Sequence, residues 1–568
     1  MKNAKAKNLL LDMVIMIVPL MIFIFWIVYG WKVTYQVHDD RYMMEFLSGK
    51  FLGRFDAHLV YIKYPLAILL LLPYKLVRNH DWYAVEMLVL SFISIAIMTW
   101  YIIRRLKNIF QKIISQGLFY SIFIVCWVNE VACFTYTTIA ALVGMCIVVV
   151  YVLGQQRKKD LAVILFCCFI AYNLRTDLFL MVLPVCGILW LWKFLQDNKK
   201  FQIQILVGLL LVIGGSYLWN QQAYSVDGWK EYTQYNKSRT MLYDFYFEDI
   251  MIDGKYEENR DFFEKNGINE QQWKIIQSYD LYLCNDELYQ KMSGIVDSYK
   301  DTKSIGNKVK TTGTIVMKEG LLKSKFMTLI SFFAWMLVVC GMLIKKEKKL
   351  NVVIIGFMCV HVILWCYLGY KGRILPRVSH SMLLMQIVTP MISLYLLDVR
   401  KIFTDKLKNK QLLLRIGCIA GVIVLGGLSL KISMKTNNNM RKESTYLDQY
   451  IIEEYCAKHP DQFFFLDVFS VVECKYFFDF HNANAYENFI SFGDWYGNSP
   501  LSREKLADRN MSDVNYNVKN NDSVRIIGKT ERDITYITDI LGEGYKLVEE
   551  ETLDAVQHDY FVYRVEKV

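Results

Sequence analysis

A polytopic α-helical membrane protein with about eleven crossings and a C-terminal α/β domain is the fold class this sequence predicts. Three observations lead there. Of the 568 residues, 54% are hydrophobic and only 21% are charged. The apolar residues gather into runs of about 17 to 22, the length that crosses a bilayer core, instead of being spread at helix or strand period. Lys and Arg concentrate in alternate connections between those runs, which is how cytoplasmic loops are marked. The same composition excludes a disordered chain, a collagen, a coiled coil and a small disulfide scaffold.

The runs place crossings at residues 9–30, 83–103, 113–129, 134–153, 161–174, 177–193, 202–221, 326–344, 350–369, 381–398 and 412–431. The first is expected to be a retained helix, because it is long and no small-residue cleavage site follows it. Six connections fall on one side: the N-terminus with Lys2, Lys5 and Lys7, then 104–112, 157–159, 193–200, 345–349 and 400–410. They hold 22 of the 65 Lys and Arg residues and are expected to be cytoplasmic. The N-terminus is then inside, the C-terminus outside, and the location a bacterial-type plasma membrane. The net charge of +10 is thus accounted for as a topology signal, and no nucleic-acid partner is expected.

The large polar segments all fall on the outer side. The first outer loop, 31–82, contains an apolar stretch at 61–77 whose Tyr and Lys ends suit a juxtamembrane helix lying in the interface. Counting it as a crossing would put every later basic cluster outside. The second outer loop, 222–325, is acidic and aromatic, with helical patterns at 270–283 and 286–299. The domain division is 1–432 for the membrane part and 433–568 for the tail. In the tail, β-type runs at 463–468, 524–527 and 560–565 alternate with helical patterns at 444–458 and 531–541. The 13 cysteines show no metal spacing. Most lie in apolar runs; Cys456 and Cys474 in the tail are close enough in sequence to make a disulfide one reading.

Ionisable groups are scarce inside the runs, with Glu86, Glu130, Arg175, Asp177 and His361 the main exceptions. Ion and proton pathways need charges near the midplane, so a transporter is disfavoured. His361 is read as a hydrogen-bonded core residue. The most informative segment is 37–76, which opens on His38, Asp39 and Asp40. Adjacent carboxylates repel, and one with raised basicity can take a proton from a hydroxyl. Against that stands a helix cap, since Asp is a favoured N-cap and a helical stretch begins at Arg41. The loop YKGRILPRVSH (370–380) carries Lys371, Arg373 and Arg377 on the side where basic residues are unexpected, and Arg binds phosphate oxygens through paired donors. Arg175 with Asp177 reads as an ion pair or a lipid-phosphate contact. Arg239 and Asp244 could border a cleft. His38, His58, Asp39, Asp40 and Asp56 are metal-type ligands, but their spacing matches no closed motif, so no metal site is assigned and a divalent cofactor stays open. The loop Gly493-Asp494-Trp495 reads as turn packing, with sugar stacking on Trp495 as the alternative.

The order of first helix, acidic pair followed by Arg-Tyr, short helix, Gly turn, His and then Lys-Tyr-Pro-Leu resembles the GT-C superfamily of membrane glycosyltransferases. It is similar to enzymes that use lipid-linked sugars, such as protein mannosyltransferases and the aminoarabinose transferase of lipid A, over residues 9–105. The chain departs from that pattern where Tyr64 replaces the first proline of Lys-Pro-Pro-Leu and where His38 replaces the proline before the acidic pair. The resemblance implies a GT-C-like fold and a first acidic residue, Asp39, acting as base with Asp40 beside it. It also implies a polyprenyl-phosphate-linked sugar as donor and a glycan, lipid or protein of the cell envelope as acceptor. Such a donor needs cations at the outer surface as phosphate charge develops, and Lys371, Arg373 and Arg377 are the expected set, with His38, His58, Arg175 and Arg239 as further lining. The competing functions are a flippase or transporter of lipid-linked glycans, and a noncatalytic scaffold or sensor.

Overall fold

The computed structural model describes residues 2–196, 199–226, 228–246, 256–283, 286–298, 305–372, 374–398, 411–442, 446–472, 478, 488–555 and 558–568. Its helices in chain order are α1 (Lys2–Phe25), α2 (His38–Ser48), α3 (Tyr64–Leu76), α4 (Trp82–Arg105), α5 (Ile109–Ala132), α6 (Tyr136–Leu153), α7 (Lys158–Leu174), α8 (Thr176–Gln196), α9 (Lys199–Ala223), α10 (Trp229–Thr240), α11 (Arg260–Lys265), α12 (Glu270–Ser278), α13 (Asp286–Ser298), α14 (Ile305–Ile315), α15 (Lys325–Lys345), α16 (Lys348–Tyr370) and α17 (Pro376–Leu396), followed by a helix at Gln411–Lys442. Ten of these among the described residues are long and apolar enough to cross a membrane: α1 with the π-turn that extends it to Gly30, α4, α5, α6, α8, α9, α15, α16, α17 and the Gln411–Lys442 helix.

The expected eleventh, at 161–174, is a helix but a shorter one. The 17 residues of α7 rise about 25 Å, and its first turn is Lys158, Lys159 and Asp160. It nevertheless joins the same two ends of the bundle as its neighbours. At one end the Tyr101 hydroxyl donates to Asp160 at 2.6 Å, Arg105 reaches the Leu153 and Gly154 carbonyls, and Lys112 and Arg104 converge on the buried Asp12 of α1. At the other end the Lys63 backbone N–H bonds the Asn173 carbonyl at 2.9 Å, and Arg175 donates to the Tyr136 hydroxyl at 3.2 Å. One end is thus basic and clamped on acids; the other carries the polar loops.

At the centre lies α6, all of whose residues are buried. A helix that is apolar on every side belongs in the middle of a bundle, and α4, α7, α8 and α17 surround it. By contrast α3, with 13 residues, spans only about 20 Å, short of a hydrocarbon core. Lys63 precedes it and Pro65 sits in its first turn, a favoured position because the missing N–H has no partner there.

Beyond the Gln411–Lys442 helix, a helix at Tyr446–Lys458 leads into the tail. Strands β1 (Thr34–Tyr35) and β2 (Cys133–Phe134) form a small parallel pair in the membrane part. In the tail, β3 (Phe463–Leu466), β4 (Phe489–Ser491), β5 (Val524–Lys529), β6 (Tyr545–Leu553) and β7 (Tyr560–Lys567) make one sheet in the order β4-β3-β5-β7-β6. The first three are parallel and β7 is antiparallel to both of its neighbours. Strand β3 reads Phe-Phe-Phe-Leu and is buried throughout, as a parallel strand covered on both faces must be. Strands β4 and β6 had no sequence signal: one is three residues long, and the other carries Glu549, Glu550 and Glu551 at a bulge.

The tail is fastened to the loops of the membrane part. Glu453 accepts from Arg41 at 2.9 Å and from Lys50 at 3.3 Å, and Arg41 also bonds Glu45 at 2.6 Å. The Tyr232 hydroxyl donates to the Trp495 carbonyl at 2.6 Å, and the Tyr282 N–H to the Phe492 carbonyl at 2.7 Å. A Cβ at Gly493 would lie 1.9 Å from the Tyr279 carbonyl oxygen, so only glycine permits this approach. Asp280 is buried against Asp467 and Tyr536; burial and the Asp467 charge push its carboxyl well above the usual range. Cys456 is buried, and Cys474 lies outside the described residues.

Candidate functional site

The acidic pair sits in the first turn of α2, not ahead of it. The helix begins at His38, three residues earlier than expected, and its N-cap is Val37 in extended conformation with no side-chain cap. Neither Asp39 nor Asp40 caps α2, though negative charge in a first turn suits the helix dipole. Pairing of β1 with β2 holds this start beside the first residue of α6. Successive helical residues point about 100° apart, and the two carboxylates accordingly have different surroundings.

Asp40 is fully buried. Its Oδ1 accepts from the Tyr83 hydroxyl at 2.6 Å and from the Tyr136 backbone N–H at 3.1 Å, so it supplies in trans an acceptor that the N-terminus of α6 lacks. Burial pushes its carboxyl up to about 7, against the pull of those hydrogen bonds, and the Asp39 charge adds only the smallest contribution. Asp40 is not among the residues lining the cavity described next; its partners make it a positioning group for α4 and α6. Asp40→Ala is expected to destabilise the protein by about 2–4 kcal/mol, and Asp40→Asn by less, because an amide oxygen still accepts. Thermal unfolding of the two variants checks this, and an unchanged Tm for Asp40→Ala would contradict it.

Asp39 lines a cavity of about 340 Å³ at the loop-bearing end of the bundle. The walls come from five parts of the chain: Val37, His38 and Tyr61 from the segment 31–82; Tyr136 and Arg175 from the ends of α6 and α7; Arg239, Tyr243, Asp244 and Tyr279 from the segment 222–325; Arg377 from α17; and Phe469, Asp494 and Trp495 from the tail. Five residues marked by the sequence, His38, Arg175, Arg239, Asp244 and Arg377, are therefore gathered around Asp39.

The three arginines differ in how they are held. The Arg239 side chain is buried and donates to Asn236 at 2.7 Å, Thr240 at 3.0 Å, Tyr61 at 3.4 Å and the Tyr279 hydroxyl. Arg175 pairs with the exposed Asp177 at 3.4 Å and lies over the Tyr61 and Tyr136 rings. The guanidinium of Arg377, in the first turn of α17, has no hydrogen bond or ion pair among the described residues. One turn further on, His380 bonds Glu130 at 2.6 Å, and Gln36 donates to the same carboxylate at 3.4 Å, which fixes the start of α17 against α5.

His38 bridges the membrane part and the tail. Its Nε2 lies 3.1 Å from one Asp494 oxygen, 3.2 Å from the other and 3.8 Å from Asp39. Asp494 has φ +76°, a conformation Asp tolerates better than most residues. Burial alone would lower His38, but the Asp494 carboxylate outweighs it and holds the imidazole at about 9. Asp494 is lowered although burial opposes it, the His38 charge being the main lowering influence. A raised histidine contributes stability that is complete below its ordinary value of about 6.5 and is lost as pH rises through 9. Wild-type protein should therefore lose Tm between pH 6.5 and 9 relative to His38→Gln; identical slopes would exclude the pair as the cause.

Other expected site residues lie elsewhere. Lys371 is exposed, with Nζ 5.8 Å from the Tyr367 ring centre, and is not part of the cavity wall. Arg373 lies outside the described residues. His58 bonds Asp56 at 2.7 Å and stacks on Trp229 at 4.6 Å, away from the cavity, and among the described residues no three His, Cys, Asp or Glu side chains converge as for a metal. His361 is buried against Trp335, and neither ring nitrogen has a hydrogen-bond partner among the described residues, unlike the bonded core histidine expected. Trp495 is 1% exposed, packing on Phe46 and Tyr61 while closing one wall. Tyr61, Tyr136, Tyr243, Tyr279 and Phe469 were not singled out, since aromatic residues make up 15% of the chain and spacing does not distinguish wall from core. No protein family model, curated protein or solved structure matches the chain.

Proposed function

We propose that the chain is a GT-C-like glycosyltransferase of the plasma membrane that transfers a sugar from a polyprenyl-phosphate donor to a cell-envelope acceptor on the outer face. The observation that carries this reading is the convergence on one polar cavity of Asp39, in the first turn of α2, and Arg377, more than 300 residues later in the first turn of α17, whose guanidinium has no hydrogen bond or ion pair among the described residues. The positive-inside rule supports an orientation with the basic end of the bundle toward the cytoplasm, and with it a cavity at the outer leaflet and an outer tail.

On this reading the groups of the cavity share one displacement. The acceptor hydroxyl gives its proton to Asp39 as its oxygen bonds the anomeric carbon. The bond from that carbon to the phosphate oxygen breaks, its electron pair leaves on polyprenyl phosphate, and attack opposite the leaving group inverts the anomer. A phosphate leaving group needs no proton but does need cations aimed at the developing charge. Arg377, whose guanidinium has no partner among the described residues, binds it through paired donors, with Arg175 and Arg239 held in place by their tyrosines. A scaffold would have no use for a carboxylate turned into this cavity. A flippase would move the donor intact.

Purified protein incubated with labelled polyprenyl-phosphate hexoses and envelope extract is expected to convert one donor to unglycosylated polyprenyl phosphate with label in product. Movement of label across a vesicle with no cleavage of the sugar–phosphate bond would favour the flippase.

A further inference from the structure

An apolar groove of about 1240 Å³ runs along the outside of the bundle, apart from the cavity around Asp39. One wall is α1 from Val14 to Gly30, the floor is α5 from Ile113 to Ile124, and Leu430 of the Gln411–Lys442 helix borders it. A groove that faces hydrocarbon needs no polar side chain. This one has two on its floor, Gln116 and Tyr120, one turn apart and only 3% and 9% exposed. Neither amide atom of Gln116 nor the Tyr120 hydroxyl has a hydrogen-bond partner among the described residues. Such groups are costly where no water reaches them, so the occupant must bring hydrogen-bonding atoms to their depth.

The two ends of the groove differ. At the end that carries the polar loops, the Asn437 side-chain amide donates to the Gly30 carbonyl at 2.8 Å and ties the Gln411–Lys442 helix to the end of α1. A transmembrane helix of another chain would run into that tie. The basic end is flanked by charge instead: Asp12 lies two residues before Val14, and Lys112 immediately precedes Ile113. Lys112 and Arg104 both pair with Asp12, which leaves one positive charge over, and the Arg104 side chain is 40% exposed.

Along α5, Gln116 lies one turn from Lys112, about 6 Å, and Tyr120 two turns, about 12 Å. Phosphate, ester carbonyls and hydrocarbon follow one another in that order in a diacyl phospholipid of the leaflet at the basic end. The wall from Val14 to Gly30 rises about 24 Å, more than the roughly 15 Å of one leaflet's hydrocarbon. Ester carbonyls only accept hydrogen bonds, which suits the Gln116 Nε2 and Tyr120 hydroxyl donors, and a headgroup hydroxyl or ammonium can donate to Gln116 Oε1. A polyprenyl chain has no acceptor to offer at this depth, so the groove is not a second site for the proposed donor.

We propose that this groove binds one diester phospholipid, with its phosphate at Arg104 and its ester carbonyls on Gln116 and Tyr120. The site is independent of the glycosyltransferase reading. Native mass spectrometry of the full-length protein in detergent, titrated with phosphatidylglycerol and with its dialkyl ether analogue, tests it. Wild type is expected to retain one diester lipid and to hold the ether lipid about tenfold more weakly. Gln116→Leu and Tyr120→Phe should each weaken diester binding about threefold and leave ether binding unchanged. Without added lipid neither variant should lower Tm, since each removes an unpartnered polar group and Tyr120→Phe keeps the ring that packs on Phe23 at 5.9 Å. The comparison of ester with ether needs no variant, so a misfolded one does not spoil the test. Equal affinity for the two lipids, no lipid retained, a transmembrane polypeptide retained in its place, or well-folded variants that bind the diester like wild type would overturn the proposal.

Discussion

Asp39→Asn is expected to slow sugar transfer by about 10²–10⁴-fold, the range that a positioned general base contributes. The fold should hardly notice. The nearest charged partner of Asp39 is His38 at 3.8 Å, a distance at which little pairing energy is lost, and the neighbouring structural carboxylate, Asp40, is untouched. Expression and Tm should therefore match wild type, with stability changed by no more than about 0.5 kcal/mol. Initial rates with a saturating donor check the kinetic part. If the variant transferred sugar at the wild-type rate with equal expression, Asp39 would not be the base.

The second large effect is expected at Arg377. Arg377→Ala removes a charge-assisted bidentate contact and should cost about 2–3 kcal/mol in kcat/KM for the donor, roughly 30- to 150-fold. Arg377→Lys should recover only part, because an ammonium supplies charge without the planar fork. Since the guanidinium has no partner among the described residues, neither change should lower Tm. Equal loss in transfer and in thermal stability would show that Arg377 is a structural residue.

Run length located the long helices closely: 83–103 became Trp82–Arg105, 326–344 became Lys325–Lys345 and 350–369 became Lys348–Tyr370. Each helix extends past its apolar run because the backbone ladder continues into the interface, where Arg104 and Lys348 are exposed and Arg105 is satisfied by the Leu153 and Gly154 carbonyls. The exception was the run at 161–174, where hydropathy alone does not say how much helix the flanking Lys158 to Asp160 turn adds. Within the site, Asp39 and Arg377 were legible because each is a charge that breaks a local pattern.

What could not be read was rotation and distance. Asp39 and Asp40 look equivalent as letters, and only the turn of α2 sends one into the cavity and the other into the core. The pairing of His38 with Asp494 spans 456 residues and leaves no local trace, although the loop at Gly493 was visible as ordered. Lys371 was grouped with Arg377 by proximity in sequence, but the backbone reverses direction between α16 and α17, leaving Lys371 on the exposed end of one helix and Arg377 on the inner face of the next.

The central claim is that this cavity breaks the bond between a sugar and polyprenyl phosphate. The most direct measurement is release of polyprenyl phosphate from a panel of labelled polyprenyl-phosphate sugars by purified wild type, Asp39→Asn and Arg377→Ala in nanodiscs with envelope extract as the source of acceptor. The account predicts release from at least one donor by wild type, with label appearing in an envelope product, and its loss in both variants. No release from any donor, or equal release by all three proteins, would contradict it.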